Sequence, residues 1–429
     1  MSGAWLVFVI FFVCLFINIP IAFSLGIAVV GTILVTSAAP MTLITQALVT
    51  SVDSFTLLAI PFFVLAGDIM ATGGISQKLV NFGKSLFGNI AGSLGIITVF
   101  CCAVFAAISG SGPATVAAIG GILIPYMIKD GYERPFAATL AAVGGCLGPI
   151  IPPSISFIMF GVVAGVSITD LFLAGVVPGL LITVSVIICS YIVSKQKGFG
   201  VKAVEKKTSL TGVLRALNDA KWALLMPIII LGGIYGGVFS PTEASVVACV
   251  YGLIISIFVH RELKIKDLGA VFGRTAMTIG SCLVLVTCAK AFGELLTLMR
   301  VPANVSDFIQ SVTNSPAVVL LLINILLLIV GCFMDPVSAI LILAPLLIPI
   351  AKTFGIDLIH FGAVMVINLI IGQVTPPVGI NLFIGSKIAE VSIEKTFKWL
   401  PLFLGVLIID LMLITYIPAL STWLVQIAR

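Results

Sequence analysis

The sequence predicts an all-α polytopic membrane protein made of two inverted-topology repeats, each carrying a re-entrant hairpin and a broken transmembrane helix. Three observations predict it. The chain is 60% hydrophobic and only 9% charged over 429 residues, where soluble domains are about 25% charged. Two sets of Pro/Gly/hydroxyl breaks interrupt apolar sequence. One is Gly110-Ser111-Gly112-Pro113-Ala114-Thr115 with Gly148-Pro149-Ile150-Ile151-Pro152-Pro153; the other is Met334-Asp335-Pro336-Val337-Ser338 with Gln373-Val374-Thr375-Pro376-Pro377. The sets are in register: Pro125 and Pro349, Pro152 and Pro376, and Gly161 and Gly385 each differ by 224 positions, and Pro113 and Pro336 by 223. The match extends outward, with Val166–Phe172 resembling Val391–Phe397 at offset 225 and Pro20 aligning with Pro241 at 221.

Residues 4–18 and 20–38 are apolar and hinged at Pro20, and about 20 apolar residues cross the hydrocarbon. No signal peptide is legible, because residues 1–5 lack Lys and Arg and the apolar run outlasts a signal core. A third span covers 55–72. Residues 73–88, with Lys78 and Lys84, read as an interfacial amphipathic helix. Residues 90–128 are too long for one span and break at 109–113. They predict a re-entrant hairpin, whose tip is tolerated only inside protein or a watery cavity. A broken helix over 135–165, interrupted at 148–153, precedes a span over 168–194. Residues 195–221 are the polar centre, with Lys195, Lys197, Lys202, Lys206, Lys207, Arg215 and Lys221 against Glu205 and Asp219. The positive-inside rule makes this stretch a cytoplasmic linker between the halves.

The plan then repeats. Spans 223–239 and 241–260 precede a basic stretch at 261–274, a span over 279–299 and an interfacial stretch at 300–315. A hairpin over 316–351, broken at 331–336, is followed by a broken helix over 359–388, a cytoplasmic stretch at 389–399 and a last span over 400–425. Each half makes five crossings, and an odd number inverts the second copy. Hairpin 1 then enters from the cytoplasm beside Lys78, Lys84, Lys129 and Arg134, and hairpin 2 from the other side, with only Arg300 and Lys352 at its base. Both termini are expected outside. Inverted repeats with paired broken helices build two access states from one fold and point to a secondary transporter.

The chemistry of the breaks follows from proline, which removes a backbone donor and clashes with the carbonyl one turn back. Carbonyls freed in a dry interior need partners, and sodium, a hard ion that takes oxygen ligands, is one. Gly110, Ser111, Thr115, Gly145 and Gly148 are candidates for one oxygen cage, and Gly331, Asp335, Ser338, Gly372 and Thr375 for a second. Helices restarting at Pro113, Pro153, Pro336 and Pro377 present positive N-terminal ends to an anion. The candidate substrate-binding residues are Ser109, Gly112, Pro113, Pro152, Ser154, Pro336, Pro377, Gly379 and Asn381. Two or more sodium ions are therefore expected, with protonation of Asp335 as an alternative coupling step. The bland reading is that the breaks are kinks, since Pro and Gly are commoner in membrane helices than in soluble ones. Four breaks in two matched pairs weigh against it.

Other residues read more simply. Lys290 and Glu294 pair with each other in their span, with a transport role as the alternative, Glu243 answers a helix dipole behind Pro241-Thr242, and Asp68 reaches the interface. Asp410 lies deep in its span with no partner visible in sequence, which suggests a functional or an intersubunit role. The nine cysteines lie in apolar segments without metal spacing and read as small hydrophobes. His260 and His360, both near span ends, build no catalytic cluster. Gly110-Ser111-Gly112 lacks the nucleophile elbow, and no phosphate loop is present. The chain is expected not to be an enzyme. Its net charge of +5 sets orientation in the bilayer and does not suggest nucleic acid.

Five stretches together resemble the large membrane subunit of the tripartite ATP-independent periplasmic (TRAP) transporters: Ile60-Pro61-Phe62-Phe63, Ser109–Thr115, Gly148–Ser154, Pro241-Thr242-Glu243-Ala244 and Thr375-Pro376-Pro377-Val378-Gly379. The likeness spans essentially the whole chain. It implies an ion-transporter-type fold working as an elevator and sodium-coupled uptake of a carboxylate-bearing solute, such as a C4-dicarboxylate, sialic acid or another sugar acid. It implies two partners, a small four-helix membrane subunit, expected here as a separate chain, and a periplasmic substrate-binding protein. It implies residence in the bacterial inner membrane. Within such an elevator, 90–165 and 316–388 form the transport domain. Residues 1–89, 166–222, 223–315 and 389–429 supply scaffold helices and linker. Two alternatives stand beside this: a carrier of the same fold that needs no binding protein, and a channel or structural scaffold. Polar groups clustered at two mid-membrane breaks favour alternating access over a continuous pore.

Overall fold

The computed structural model describes residues 4–88, 90, 92–200 and 210–429, and among them every regular element is a helix. Helices α1 (Ala4–Phe16) and α2 (Ile21–Thr36) pack together around a turn where Asn18 takes a left-handed conformation ahead of Pro20. A short α3 (Thr42–Thr50) lies before α4 (Ala59–Thr72). In α5 (Ile75–Phe87), Ile75, Leu79 and Val80 are buried while Gln77 and Asn81 are exposed, the amphipathic pattern expected of 73–88.

Hairpin 1 comprises α6 (Ser93–Ser109), a left-handed Gly110, a single turn α7 (Gly112–Thr115), a π-helical turn at Val116–Gly120 and α8 (Gly121–Lys129). The broken helix is α9 (Arg134–Gly145) and α10 (Ile155–Ala164), followed by α11 (Ile168–Lys197). Ser154 and Ser167 cap α10 and α11 by accepting from Phe157 and Asp170 amides.

The second half repeats the order. Helices α12 (Leu210–Tyr235), α13 (Pro241–Ile254), α14 (Leu268–Leu298) and α15 (Val301–Val312) precede hairpin 2, formed by α16 (Pro316–Gly331) and α17 (Pro336–Thr353). The second broken helix is α18 (Leu358–Gly372) and α19 (Ile380–Ala389). A short α20 (Ile393–Thr396), α21 (Leu400–Tyr416) and α22 (Ala419–Ala428) end the chain. Both breaks contain a cis Pro-Pro bond, Pro152-Pro153 and Pro376-Pro377, at the same 224-residue offset.

Two expectations are corrected. The helix expected from 223 begins at Leu210, because no proline intervenes before Pro227, so Arg215, Asp219 and Lys221 belong to α12 and not to a linker. Residues 1–3 and Lys202, Glu205, Lys206 and Lys207 lie outside the described residues. The span expected over 400–425 bends by 53° between α21 and α22, where Pro418 cannot continue the ladder. The short α3 carries no proline or cap signal that announced it.

Seven helices are long and apolar enough to cross a membrane, and the bent α21–α22 pair adds an eighth, among the described residues. The chain is a multi-pass membrane protein. Two of those seven are Gly112–Lys129 and Pro336–Thr353, the second arms of the hairpins. Burial separates two groups. Every residue of α9 from Phe136 and of α18 from Ile359 is buried, so these helices have no lipid face. In contrast α1, α2, α12 and α14 expose Phe16, Phe23, Ile228 and Met277, as helices bordering lipid do.

The broken helices interlock. α19 packs on α9 and on hairpin 1, whereas α10 packs on α18 and on α17 of hairpin 2. α11 lies against α6, α10, α18, α21 and α22, and α21 against α11, α18 and α9. α2, α3 and α4 gather on α14, and α12 and α13 on α5 and α4. Small residues allow these approaches: a Cβ on Gly385 of α19 would stand 2.7 Å from the Ala138 carbonyl of α9.

Candidate functional site

The two hairpin tips meet the two breaks in the interior of the bundle. At tip 1, Gly110 is left-handed with φ +58° and lets the chain turn against the first break. A Cβ there would stand 2.8 Å from the Pro153 carbonyl. Gly148 presses on the tip itself: its Cβ would lie 2.4 Å from the Ser111 carbonyl oxygen. A Cβ on Gly145 would stand 3.2 Å from the Gly112 carbonyl. The structure thus brings Gly110, Ser111, Gly145 and Gly148 together as the sequence suggested.

The hydroxyls of this tip are linked. Ser109 and Thr115 hydroxyls lie 2.9 Å apart, and Thr115 Oγ1 donates to the Ser111 carbonyl at 2.8 Å. Ser111 Oγ accepts weakly from the Ala114 amide at 3.5 Å, and Pro113 follows inside that first turn. Ser154 Oγ donates to the Pro149 carbonyl, across Pro152, and caps α10. The oxygens concentrated here are backbone carbonyls and hydroxyls, the donor set that a hard monovalent cation takes.

Two side chains from the second repeat reach the same place. The Gln373 and Asn381 amides surround Gly112, whose Cβ would stand 2.7 Å from Gln373 Oε1 and 3.0 Å from Asn381 Nδ2. Gln373 is 7% exposed and Asn381 fully buried, and among the described residues neither Gln373 Oε1 nor Asn381 Oδ1 has a hydrogen-bond partner. A buried amide oxygen left unpaired costs about 1–3 kcal/mol. Asn381 was a sequence candidate. Gln373 was not, although it opens the Gln373–Pro377 break; its side chain became significant only when α18 ended beside the opposite hairpin.

Tip 2 is built differently. Gly331 and Gly372 are in backbone contact, since a Cβ on Gly372 would lie 2.3 Å from the Gly331 carbonyl carbon. The Val378 amide donates to the Cys332 carbonyl at 3.3 Å, and Thr375 Oγ1 to the Ile371 carbonyl at 2.9 Å. Asp335 caps α17: it accepts from the Ser338 amide at 3.1 Å and from the Ser338 hydroxyl, with Pro336 at the first helical position. Asp335 and Ser338 line a cavity of about 640 Å³ with Pro20 of the α1–α2 turn, Ile60 of α4 and Cys282 of α14. No hydrogen bond joins them to Thr375 among the described residues. Tip 2 therefore places its glycines and its carboxylate on different sides. Gly379, left-handed at φ +51°, starts α19 after Pro377.

Several polar residues outside the breaks find partners within the bundle. Asp410, without a partner in sequence, accepts a hydrogen bond from Ser185 of α11. These two are 225 positions apart, the repeat offset, so equivalent positions of the two copies touch. Cys146 and the Ile370 carbonyl, 3.6 Å apart, do the same at 224. Equivalent residues meet only where they straddle a pseudo-two-fold axis. Asp68 accepts from Thr275 of α14 at 2.8 Å, Glu243 completes a capping box with Ser240, and Lys290 pairs with Glu294 at 3.5 Å. His360 contacts Ser421 Oγ at 2.8 Å, and Asn368 Nδ2 donates to Asn324 Oδ1 at 2.8 Å, in a network that ties α16, α18, α21 and α22. All nine cysteines are unpaired; six are buried and Cys282, Cys288 and Cys332 partly so.

Comparison with known proteins bears on this geometry. The family model described as "Tripartite ATP-independent periplasmic transporter, DctM component" matches residues 8–420. The chain is 43% identical over 406 residues to the isethionate TRAP transporter permease protein DctMQ of Oleidesulfovibrio alaskensis, covering 95% of this chain and 64% of that protein. It is 40% identical to the C4-dicarboxylate TRAP transporter large permease protein DctM of Pseudomonas aeruginosa, over 93% of this chain and 92% of that one. It is 34% identical to the sialic acid TRAP transporter large permease protein SiaM of Vibrio cholerae, over 96% of each. Among solved structures, the Alcanivorax borkumensis YdaH transporter shares the fold at a TM-score of 0.66 and 14% identity, over 89% of this chain and 88% of that one.

Proposed function

Because this chain belongs to the DctM component family of the tripartite ATP-independent periplasmic transporters, we propose that it is the permease of a sodium-coupled uptake system for small organic anions. The observation that carries this reading is the enclosure of tip 1. Tip 1 carries the Ser111 carbonyl and the linked Ser109 and Thr115 hydroxyls, and beside its Gly112 lie two buried amide oxygens, on Gln373 and Asn381, with no hydrogen-bond partner among the described residues. A hard cation supplies the missing partner by accepting oxygen ligands. Ser111, Thr115 and the backbone at Gly110, Gly145 and Gly148 would hold one sodium. The Gly331–Gly372 contact with Thr375 would hold a second, with Asp335 and Ser338 at its margin. The solute's anionic head would face the starts of α7, α10, α17 and α19, at Pro113, Ser154, Pro336 and Gly379, with Pro152 and Pro377 shaping the approach.

Transport proceeds by sliding one body against another. The packing supports a boundary different from the one expected of the sequence. α11 and α21–α22 pack on the hairpins and broken helices, so residues 168–197 and 400–428 travel with the moving body. The static body is then α1–α5 with α12–α15. Hairpin 1 opens to the cytoplasm and hairpin 2 to the periplasm, both termini are periplasmic, and the host membrane is the bacterial inner membrane. A small membrane subunit and a periplasmic binding protein complete the system. The relatives' names include a sulfonate as well as carboxylates, so the recognised feature is the anionic head, carboxylate or sulfonate.

The test is uptake into proteoliposomes holding this chain with its small subunit. Labelled isethionate, succinate and sialic acid are presented with their binding proteins, with and without an inward sodium gradient. Uptake that needs both sodium and a binding protein supports the reading. Uptake that needs no binding protein, or that a proton gradient alone drives, contradicts it.

A further inference from the structure

The moving and static bodies also enclose a charged cavity that the break site does not use. It has a volume of about 630 Å³ and lies between α14, α10, α17 and the end of α3, within the usual size of small-molecule sites. Lys290 and Glu294 of α14 line it, together with Ser54 ahead of α4. Their helix presents Val286, Lys290, Gly293, Glu294 and Thr297 to it, an i, i+4, i+7, i+8, i+11 stripe that shares one face.

Helix stability does not explain the pair. A lysine inside a spanning helix carries an insertion cost, about 2.5–3.5 kcal/mol at the helix centre and less toward an end, and Lys290 lies eight residues before the end of α14. Its partner gives little back: the contact is 3.5 Å long, the Lys290 and Glu294 side chains are 53% and 36% exposed, and such pairs are worth about 0–1 kcal/mol. Lysine ahead of glutamate is also the weaker i,i+4 order. Ser54 makes no hydrogen bond with its side chain among the described residues, although it stands at a helix start. Gly293 lets Pro345 of hairpin 2 approach α14 to 3.3 Å from a Cβ position, so the mobile hairpin forms the wall directly beside Lys290. Tip 2 lies further along the same helix, where Asp335 and Cys282 share the other cavity. Eight residues separate Cys282 from Lys290, about 12 Å of helix rise.

We infer that this cavity is a vestibule in which Lys290 captures the anionic head of the organic solute, with Glu294 holding the ammonium until the solute displaces it. The vestibule lies on the side from which hairpin 2 enters, about 12 Å along α14 from tip 2. The inference rests on the organic-anion reading above and adds a second subsite to it.

The experiment compares Lys290→Gln, Lys290→Arg and Glu294→Gln in the full reconstituted system. Lys290→Gln raises the KM for the transported anion about tenfold with kcat kept within about twofold. Lys290→Arg restores the KM, and Glu294→Gln lowers it. In parallel, millimolar isethionate or succinate in sodium-free buffer raises the Tm of the purified wild type but not of Lys290→Gln. If Lys290→Gln does not assemble, Glu294→Gln carries the test, and an unchanged KM there overturns the vestibule. Wild type that transports while Lys290→Gln keeps its KM, or loses only kcat, overturns the vestibule alone. Wild type that neither transports nor gains Tm overturns the organic-anion reading with it.

Discussion

Tip 1 and tip 2 occupy the same place in their repeats but face different surroundings. Tip 1 carries no charge, and its hydroxyls bond to one another and to its own backbone. Its closest neighbours are the first break and the amide ends of Gln373 and Asn381 from the second repeat. Tip 2 carries a carboxylate, Asp335, satisfied by Ser338 and turned toward α14. The glycine contacts are duplicated, since Gly148 and Gly372 stand at equivalent positions and each presses on a hairpin tip. Duplication therefore preserved the backbone framework of the breaks, and the side chains diverged according to what each tip faces. Tip 1 is enclosed by the broken helices of both repeats, and tip 2 borders α4 and α14, which the proposed elevator assigns to its static body.

The largest effect expected is on the shared framework. Gly148→Ala and Gly372→Ala each force a methyl to within 2.4 Å of backbone, which no rotamer change relieves. Each is expected to lower Tm by an amount corresponding to at least about 1–3 kcal/mol and to abolish uptake. Gly121→Ala, which meets nothing within 4 Å, is the control, and its Tm should hold or rise. If either break variant transports normally, the tip and break are not in contact during the cycle.

Next come the side chains that distinguish the tips. Thr115→Val with Ser109→Ala removes the two linked tip 1 hydroxyls at nearly constant volume and is expected to weaken apparent sodium affinity about tenfold, roughly 1.4 kcal/mol, read from sodium titration of uptake. Asp335→Asn keeps a cap, because asparagine serves as well as aspartate at that position. Its Tm should stay near wild type while sodium affinity falls. Loss of stability without loss of sodium affinity would make Asp335 a cap only.

A smaller effect is expected where α16, α18 and α21 are tied. Asn324→Ala leaves the Asn368 amide without its acceptor side chain and the Thr415 hydroxyl without its donor. A cost of about 1–3 kcal/mol follows from orphaning buried polar groups, measurable as a Tm shift with sodium affinity unchanged.

The smallest effect lies on the face near the base of hairpin 1. The hydrogen bond from Lys398, supported by one from Trp399, holds the Glu133 carboxyl below its usual range. A folded value below the unfolded one, about 4.3, contributes stability above that pH, and the contribution is lost as pH falls through the folded value. Glu133→Gln should flatten the acid limb of Tm against pH by less than about 1 kcal/mol, as for an exposed pair.

The breaks and hairpins were legible in sequence because proline and glycine act locally. Helices stop at Ser109, Gly145, Gly331 and Gly372, within a few residues of the expected interruptions. The assembly of tip 1 was legible in part, since its glycines carry the pattern themselves. Gln373 was overlooked because its role depends on the opposite repeat, more than 250 positions away from Gly112 in chain order. The partner of Asp410 was hidden for a different reason. Ser185 is its repeat equivalent, so the shared offset contains the answer, but only a two-fold packing of the copies turns that offset into a contact. The placement of α11 and α21 with the hairpins was not legible at all, because their uniformly apolar sequences fit a lipid face and a protein interior equally well.

The most direct measurement of the central claim is equilibrium binding of radioactive sodium to the purified complex, for wild type, Ser109→Ala/Thr115→Val and Asp335→Asn. The account predicts saturable binding of at least about two ions per permease, weakened by the tip 1 variant and reduced by the tip 2 variant. Binding that is absent, or that both variants leave unchanged, would contradict the assignment of sodium to the paired breaks.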